Sequence, residues 1–298
     1  MSTTARSPLV EPASGLRRSR GSWRTRLAVA CALAVLVVWQ GSLRLPAGPD
    51  SGTRLNAAAR LNSTPPAGAS VPMAGDRIRL GTYNIHSGRG LDGRLDLQRT
   101  AAKLERLDFL ALNEVRGPAW LGRPDQAEQL GRLLAADWLF APTEWRWWHD
   151  DFGNGIISRL PVRSWQRIPL PHRTSNGCRN VVLVRVDVAG RALNLLVTHV
   201  EDTDRQAAVS QLQAVVDLFL SLEPPAALLG DLNAAHGEPQ LQRLLATPGV
   251  SDPLAKLPHT DGRIDWIITR GLECTDCGLE PAGASDHPHY WVECRLVR

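Results

Sequence analysis

Acids, amides and imidazoles recur in this sequence at the ends of short apolar runs. Asn84 and His86 follow the first run, Glu114 ends the second, and His199 ends a later one. Polar groups at the ends of buried strands are costly to desolvate unless they contact one another, a metal ion or a substrate. Further residues of this kind are Asp231, Asn233, Asp265, Asp286 and His287. We therefore expect the set to converge on one site, where carboxylates and imidazoles can carry out acid–base chemistry.

The elements that must position these residues alternate between strand and helix patterns. Strands are predicted at 78–85, 109–114, 155–158, 181–188, 192–199, 226–229, 264–269 and 290–297, and helices at 95–107, 126–136, 205–222 and 239–246. The turn at 189–191 joins two of the strands and predicts an antiparallel hairpin, so the sheets should be mixed. The pattern as a whole predicts an α/β fold in which β-sheets are covered by helices.

Seven short motifs carry a resemblance to a known family. They are TYNIH at 82–86, LNEV at 112–115, GNGIISR at 153–159, THV at 198–200, GDLN at 230–233, IDW at 264–266 and SDH at 285–287. In this order they resemble the motifs of the endonuclease/exonuclease/phosphatase superfamily, which includes pancreatic-type deoxyribonucleases, abasic-site endonucleases, neutral sphingomyelinases and inositol-phosphate phosphatases. The resemblance covers about 78–297. It implies a four-layered α/β sandwich with two mixed β-sheets flanked by helices.

The resemblance also implies a divalent-metal-dependent hydrolase of phosphodiester or phosphomonoester bonds. Glu114, with Asn84 and Asp286 nearby, is expected to bind Mg²⁺ or Mn²⁺, because oxygen ligands suit these hard cations. The implied catalytic residues are His199, Asp231, Asn233, Asp265 and His287. Asp231 and Asn233 would activate the attacking water, and the two imidazoles would stabilise the transition state.

Three further residues and two departures complete the comparison with the family's pattern. His86, Asn154 and Arg159 are expected to contact the substrate or to support the site. Asn113 stands before Glu114 where Gln is expected, and Trp266 follows Asp265 where Tyr is usual. Neither departure removes a chemical group from the expected site, so both bear on substrate contacts rather than on the reaction.

Two other functions fit part of the sequence. Gly88, Gly90 and Gly93 form a G-x-G-x-x-G pattern between a predicted strand and a predicted helix, which is the context of a dinucleotide-binding turn. The second alternative is a catalytically inactive, membrane-attached binding protein of the same fold. The presence of every catalytic group together argues against it, because loss of function rarely leaves a whole site in place.

The N-terminal quarter of the chain has a composition of its own. A basic flank at 1–26 precedes an apolar run at 27–43, which has the length of a signal-peptide core or of a membrane anchor at the lower limit. The region 44–75 is rich in Ala, Pro and Gly and predicts a flexible linker, followed by the catalytic domain at 76–298. Arginines before the apolar run predict a catalytic domain outside the cytoplasm, either on the cell membrane or secreted.

The charge distribution limits the partners of this domain. Residues 1–75 contain nine Arg and two acids, a net charge of +7, so the +4 of the whole chain leaves −3 on the remainder. An acidic domain does not have the composition of a non-specific nucleic-acid binder, although its arginines can still form a local clamp. We expect a phosphoester substrate, which is a small molecule, a lipid headgroup or a nucleic acid. We expect membrane contact through the N-terminal segment and no obligate protein partner.

Four cysteines lie outside the apolar run, namely Cys178, Cys274, Cys277 and Cys294. An even number is compatible with disulfides in an oxidising compartment, but the spacing does not determine which cysteines pair. The single CxxC has no second pair at metal-binding spacing, which argues against a structural zinc site.

Overall fold

The computed structural model describes residues 22–42, 44–57, 77–118, 122–146, 150–172, 174, 177–258 and 262–297. The chain divides into two compact units, Met1–Ser42 and Leu43–Arg298. The first contains one described helix, α1 (Ser22–Ser42). Within the described ranges, no helix combines the length and the apolarity needed to cross a membrane. The apolar run predicted at 27–43 lies in α1 as far as Ser42, and most of the basic flank lies outside the described residues.

In the described part of the second unit there are two seven-stranded sheets and four α-helices. The strands are β1 (Arg44–Pro46), β2 (Asp50–Gly52), β3 (Arg77–Asn84), β4 (Phe109–Arg116), β5 (Asp137–Arg146), β6 (Phe152–Ser158), β7 (Val162–Pro169), β8 (Asn180–Val188), β9 (Arg191–His199), β10 (Ala226–Asp231), β11 (Val250–Ser251), β12 (Asp265–Arg270), β13 (Leu272–Glu280) and β14 (His289–Leu296). The helices are α2 (Leu97–Ala102), α3 (Gln126–Leu133), α4 (Arg205–Ser221) and α5 (Pro239–Leu245).

Both sheets are mixed, as the sequence predicts. The first has the strand order β1-β5-β6-β4-β3-β14-β13, and the second has the order β11-β12-β10-β9-β8-β7-β2. The pairs β3–β4 and β9–β10 are parallel, and the remaining pairs are antiparallel. The predicted hairpin is confirmed, because β8 and β9 pair in antiparallel register through the turn at Ala189–Gly190.

Side-chain alternation along the strands builds the layers. In β8, Val182, Val184 and Val186 belong to a core formed by both sheets, whereas Val181 and Leu183 pack in a second core with side chains of α4 and α5. A third core lies between the first sheet and helices α2 and α3. Strands buried on both faces need apolar residues at nearly every position, which β8 has. The result is the predicted four-layered sandwich, with a helix layer outside each sheet.

The predicted linker at 44–75 is wrong over its first part. Strand β1 pairs with β5, strand β2 pairs with β7, and Asn56 forms a bridge with Trp138. Short edge strands need only backbone hydrogen bonds to an open sheet edge, so a run rich in Pro and Gly can form them without an apolar pattern. The rest of the predicted linker, at 58–75, lies outside the described residues.

One pair of cysteines is joined. Cys274 of β13 and Cys294 of β14 are directly opposed in the antiparallel register and form a disulfide. The spacing of the cysteines in the sequence did not determine which of them pair, and the structure assigns this one pair.

Candidate active site

The ends of five strands bring the predicted site residues together. Across three neighbouring strands of the second sheet, His199, Asp231 and Asp265 stand directly opposite one another in register. Asn84 ends β3 in the first sheet, and Glu114 lies near the end of the parallel strand β4. The two sheets thus present their polar strand ends at the same edge of the sandwich.

Asn84 links the two sheets at this edge. Its Nδ2 donates hydrogen bonds to Glu114 Oε1 and to Asp231 Oδ2, both at 3.1 Å, and lies 3.5 Å from His287 Nε2. Its Oδ1 accepts from the backbone N–H of His86 at 3.1 Å. In this orientation the buried amide donates to two carboxylates, and its oxygen accepts from the backbone.

A β-bulge sets the direction of Glu114. The pairing of β4 with β6 shifts register between Leu112 and Val115, and Glu114 in the bulge has φ +57°. Bulges redirect side chains at the rims of sheets, and non-glycine residues with positive φ cluster at functional sites. His86 and Asn233 share this conformation, each with φ +45°. Three predicted site residues therefore occupy sterically costly backbone positions that the surrounding structure maintains.

His287 and Asp265 form a tight ion pair. His287 Nδ1 lies 2.7 Å from Asp265 Oδ2 and 3.8 Å from Asp231 Oδ2. Burial alone would lower the pKa of His287, but the hydrogen bond to Asp265 and the nearby carboxylates outweigh it and raise this pKa to about 9. The loop is held by Ser285, whose hydroxyl donates to the carbonyl of Asn84 at 2.7 Å. His287 is therefore a positioned imidazolium at neutral pH.

His199 has the opposite electrostatic environment. Complete burial lowers its pKa well below the usual value, and the charge of Arg179 lowers it further. Arg179 Nη1 lies 3.2 Å from His199 Nδ1. Arg179 and the side-chain amide nitrogen of Asn233 are both donors, so a side-chain donor faces each ring nitrogen of His199. Nε2 lies 3.1 Å from Asn233 Nδ2 and 3.7 Å from Asp231 Oδ2. Nε2 thus faces the centre of the site, near Asn233 and Asp231.

Asp231 is the most perturbed carboxyl group of the site. Burial and the neighbouring charge of Asp265 raise its pKa to about 7, against the opposing effect of His287. Its Oδ1 accepts from the backbone N–H of Asn233 at 2.9 Å. A buried carboxyl group with a pKa in this range can exchange a proton at neutral pH.

A chain of buried amides beneath the site was not predicted from the sequence. Asn113 Oδ1 accepts from the backbone N–H of Asp231 at 2.9 Å, and its Nδ2 donates to Asn154 Oδ1 at 2.8 Å. Asn154 in turn donates to Asn180 Oδ1 at 3.0 Å. Asn113 therefore joins the sheets behind the site, and its departure from the family's pattern concerns positioning rather than substrate contact. Arg179 and Asn180 were also missed.

Arg159 does not belong to this site, contrary to its prediction as a substrate or supporting residue. Its guanidinium donates to the carbonyls of Leu107 and Leu134. It follows Ser158, which pairs with Phe109 at the opposite end of β4 from Glu114. Arg159 therefore secures the loops at the far end of the first sheet.

Two groups of acids are candidates for a metal site. In the part of the chain that the structure describes, Asp231, Asp265 and His287 offer ligand atoms that lie within 4.8 Å of one another. The short contact between Asp265 and His287 already uses two of these atoms. The carboxylates predicted as ligands, Glu114 and Asp286, lie beside Asn84 and His86 instead. His86 Nδ1 is buried without a hydrogen bond, 3.5 Å from Asp286 Oδ1. Glu114 accepts a hydrogen bond from Asn84, and both Glu114 and Asp286 are oxygen donors of the kind that hard cations take.

The glycine pattern does not form a dinucleotide-binding turn. Helix α2 begins at Leu97, four residues after Gly93, and the Asp96 side chain caps it by accepting from the backbone N–H of Arg99. A pyrophosphate bound at this helix terminus would meet that carboxylate instead of free N–H groups.

Gly230 is required by the approach of two strands beneath Asp231. Its φ is +141°, and a Cβ there would lie 1.9 Å from the carbonyl oxygen of Thr198. We expect Gly230→Ala to lower the free energy of unfolding by about 3 kcal/mol, because strand β10 would have to move away from β9. Denaturant unfolding measures this. The matched control is Gly237→Ala, where a Cβ meets no atom within 4 Å. Equal stabilities of the two variants would contradict the proposed steric constraint.

Comparison with known proteins agrees with this geometry. The sequence model of the Endonuclease/Exonuclease/phosphatase family matches residues 81–287. An endonuclease/exonuclease/phosphatase structure from Beutenbergia cavernae is 25% identical over 74% of this chain and 72% of that chain, with a TM-score of 0.61. Humanised TDP2 of D. rerio is 18% identical over 74% of this chain and 100% of its own, with a TM-score of 0.59. No curated protein sequence matched this one.

Proposed function

The chain belongs to the endonuclease/exonuclease/phosphatase family, and from this membership we propose that it hydrolyses phosphodiester or phosphomonoester bonds with the help of Mg²⁺ or Mn²⁺. The observation that supports the proposal best is the arrangement around Asp231. Asn84, His199 and His287 each have a side-chain nitrogen within 4 Å of Asp231 Oδ2. Acid–base groups that meet in this way can move protons at one reacting centre.

Asp231 and Asn233 would handle the attacking water. Asp231 Oδ2 faces Asn84 and both imidazoles, and Oδ1 is fixed by the backbone of Asn233. A carboxylate fixed on one oxygen can accept a proton from water through the other. The Asn233 side chain, which also donates to the carbonyl of Val200 at 2.9 Å, would orient that water.

The two imidazoles would stabilise the charge that develops on the phosphoryl oxygens. His287 carries a positive charge held by Asp265, and His199, positioned by Arg179, would be the second donor. Preorganised donors of this kind act without reorganisation during the reaction, and each contributes a factor of about 10²–10³ to the rate.

Glu114 and Asp286 would hold the divalent cation, with Asn84 ordering Glu114 through its hydrogen bond. When bound, the cation would supply positive charge that polarises a phosphoryl oxygen. The half-buried position of Glu114 beside an open cleft allows contact with both an ion and a substrate.

A substrate panel tests the proposal. We expect the full-length protein with Mn²⁺ to hydrolyse at least one of bis(p-nitrophenyl) phosphate, p-nitrophenyl phosphate, a nucleic-acid oligomer and a phospholipid. Release of product is measured in each case. No turnover of any of them, by protein shown to be folded, would instead favour the inactive binding protein of the same fold.

A further inference from the structure

An arginine-rich cleft opens beside the candidate active site. It has a volume of about 1240 Å³, and His86 and Glu114 form part of its wall. Five arginines also line it, compared with three acids. The arginines are Arg89, Arg116, Arg123, Arg132 and Arg146. A net positive cleft is unexpected in a domain whose sequence carries more acids than bases.

The five arginines of the cleft differ in whether they form salt bridges. Arg132 pairs with Glu128, and Arg146 pairs with Glu144. Within the described ranges, no carboxylate forms a salt bridge with Arg89, Arg116 or Arg123. These guanidiniums thus keep donors available for a ligand.

Arg116 is the most ordered of the three. It follows Glu114 by two residues on β4, and its Nε donates to Ser87 Oγ at 2.9 Å. Its guanidinium carbon lies 5.1 Å from the centroid of the Phe152 ring. Gln126 braces the same wall, accepting from the Arg116 backbone at 3.0 Å and donating to the Ser87 carbonyl at 2.7 Å. Glu114, Glu144 and Asp150 are close enough to interact with its charge but form no salt bridge with it, so the guanidinium is a positioned cation with donors left for an anion.

We propose that this cleft binds a second phosphate group of the substrate, so that the preferred substrate is a small phosphoester carrying one phosphate at the active site and another against Arg116 and Arg123. The inference rests on the proposed function. Arginine suits a phosphate because its donors match two phosphate oxygens at once. The cleft has a volume of about 1240 Å³, and the acidic total charge gives a long polyanion few further cations to contact.

The first experiment measures binding without catalysis. Inorganic pyrophosphate is titrated by calorimetry into full-length protein in the presence of EDTA, so that metal-dependent turnover plays no part. We expect Arg116→Gln and Arg123→Gln each to weaken binding by about 10-fold. The matched control is Arg185→Gln, because Arg185 is exposed on β8 in the other sheet and its Nε donates only to Asn194. Equal affinities in all four proteins would overturn the inference, whether or not the protein is an enzyme.

The second experiment compares two esters that differ only in the second phosphate. They are the p-nitrophenyl phosphodiester of the thymidine 5′-hydroxyl, with and without a phosphate on the 3′-hydroxyl. We expect the additional phosphate to lower KM about 10-fold in the unmodified protein and in Arg185→Gln, and about twofold or less in Arg123→Gln. Because Arg123 is exposed, its substitution tests the inference even if Arg116→Gln folds poorly. An unchanged KM ratio would contradict the assignment.

Two further ligands distinguish a free small molecule from a lipid headgroup as the carrier of the second phosphate. Faster cleavage of a soluble bisphosphate than of the same group on a vesicle lipid identifies a free small molecule, and the reverse identifies a headgroup; either result supports the inference. A DNA oligomer that binds more tightly than both, with affinity falling steeply as salt rises, would overturn it in favour of a polymer groove.

Discussion

Replacing Asp231 with Asn is expected to lower kcat by about 10³-fold or more while leaving the protein folded. The substitution keeps the shape of the side chain but removes the group that can accept a proton from water. Asp231 also contributes to the charge that holds His287 in its protonated form, so two functions are lost together. The measurement is single-substrate kinetics at saturating metal and substrate, with circular dichroism to establish the fold.

Asp217→Asn is the matched control for this substitution. Asp217 lies exposed on α4 and pairs with Arg243, and it contacts none of the site residues named above. Its kcat should equal that of the unmodified protein. Removing a general base costs at least about 10²-fold in rate. If Asp231→Asn retains more than about a tenth of the original kcat, Asp231 is not the group that accepts the proton from water.

The second large effect is expected at Glu114. Glu114→Gln should raise the Mn²⁺ concentration that gives half-maximal activity by about 10-fold or more, because the charge of a carboxylate ligand is lost while its shape remains. The side-chain oxygen of the introduced Gln can still accept the hydrogen bond from Asn84, so the fold should be preserved. Activity is titrated against Mn²⁺, and direct Mn²⁺ binding is measured in parallel by electron paramagnetic resonance.

Glu273→Gln serves as the control for this titration. Glu273 lies on the edge strand β13 and pairs with Arg295, so its loss should leave the Mn²⁺ requirement unchanged. An unchanged Mn²⁺ titration in Glu114→Gln would transfer the metal from Glu114 to the group formed by Asp231, Asp265 and His287.

The parts of the fold that the sequence predicts are those with a strong apolar signal. Strands β8, β9 and β10 are buried on both faces and read as continuous apolar runs, so their predicted and observed bounds agree to within two residues. The start of α4 at Arg205 was also predictable, because Asp204 caps it by accepting from the backbone N–H of Ala207.

The strands that were missed have weaker patterns for a physical reason. β7 and β13 lie near or at a sheet edge, where one face or one side meets solvent, so Arg, Gln, Glu and Asp interrupt the apolar alternation. β1 and β2 are too short to show a period at all. β5 contains Pro142, which reads as a break in a strand although its position in the sheet tolerates it.

Site residues were predicted where their signal lies in a short stretch of sequence, and they were missed where it depends on contacts between distant segments. Residues at strand ends in recognisable motifs, such as His199 and Asp231, were predicted because the signal lies within a few positions of the chain. Arg179 contacts His199 from the residue before β8, and Asn180 contacts Asn154 from the other sheet. Contacts of that kind depend on register and on sheet packing, which no sequence spacing records. The arginine cleft was missed for the same reason, because its members come from separate elements.

Removing and returning Mn²⁺ during one hydrolysis reaction tests whether the protein is a metal-dependent phosphoesterase. The initial rate of bis(p-nitrophenyl) phosphate hydrolysis by the full-length protein is measured with Mn²⁺, after excess EDTA, and after Mn²⁺ is returned in excess of the chelator. We expect hydrolysis by the unmodified protein to fall to background with EDTA and to return with the metal. We expect Asp231→Asn to show no hydrolysis at any stage. Undiminished hydrolysis in EDTA, or equal hydrolysis by Asp231→Asn, would contradict a metal-dependent phosphoesterase centred on Asp231.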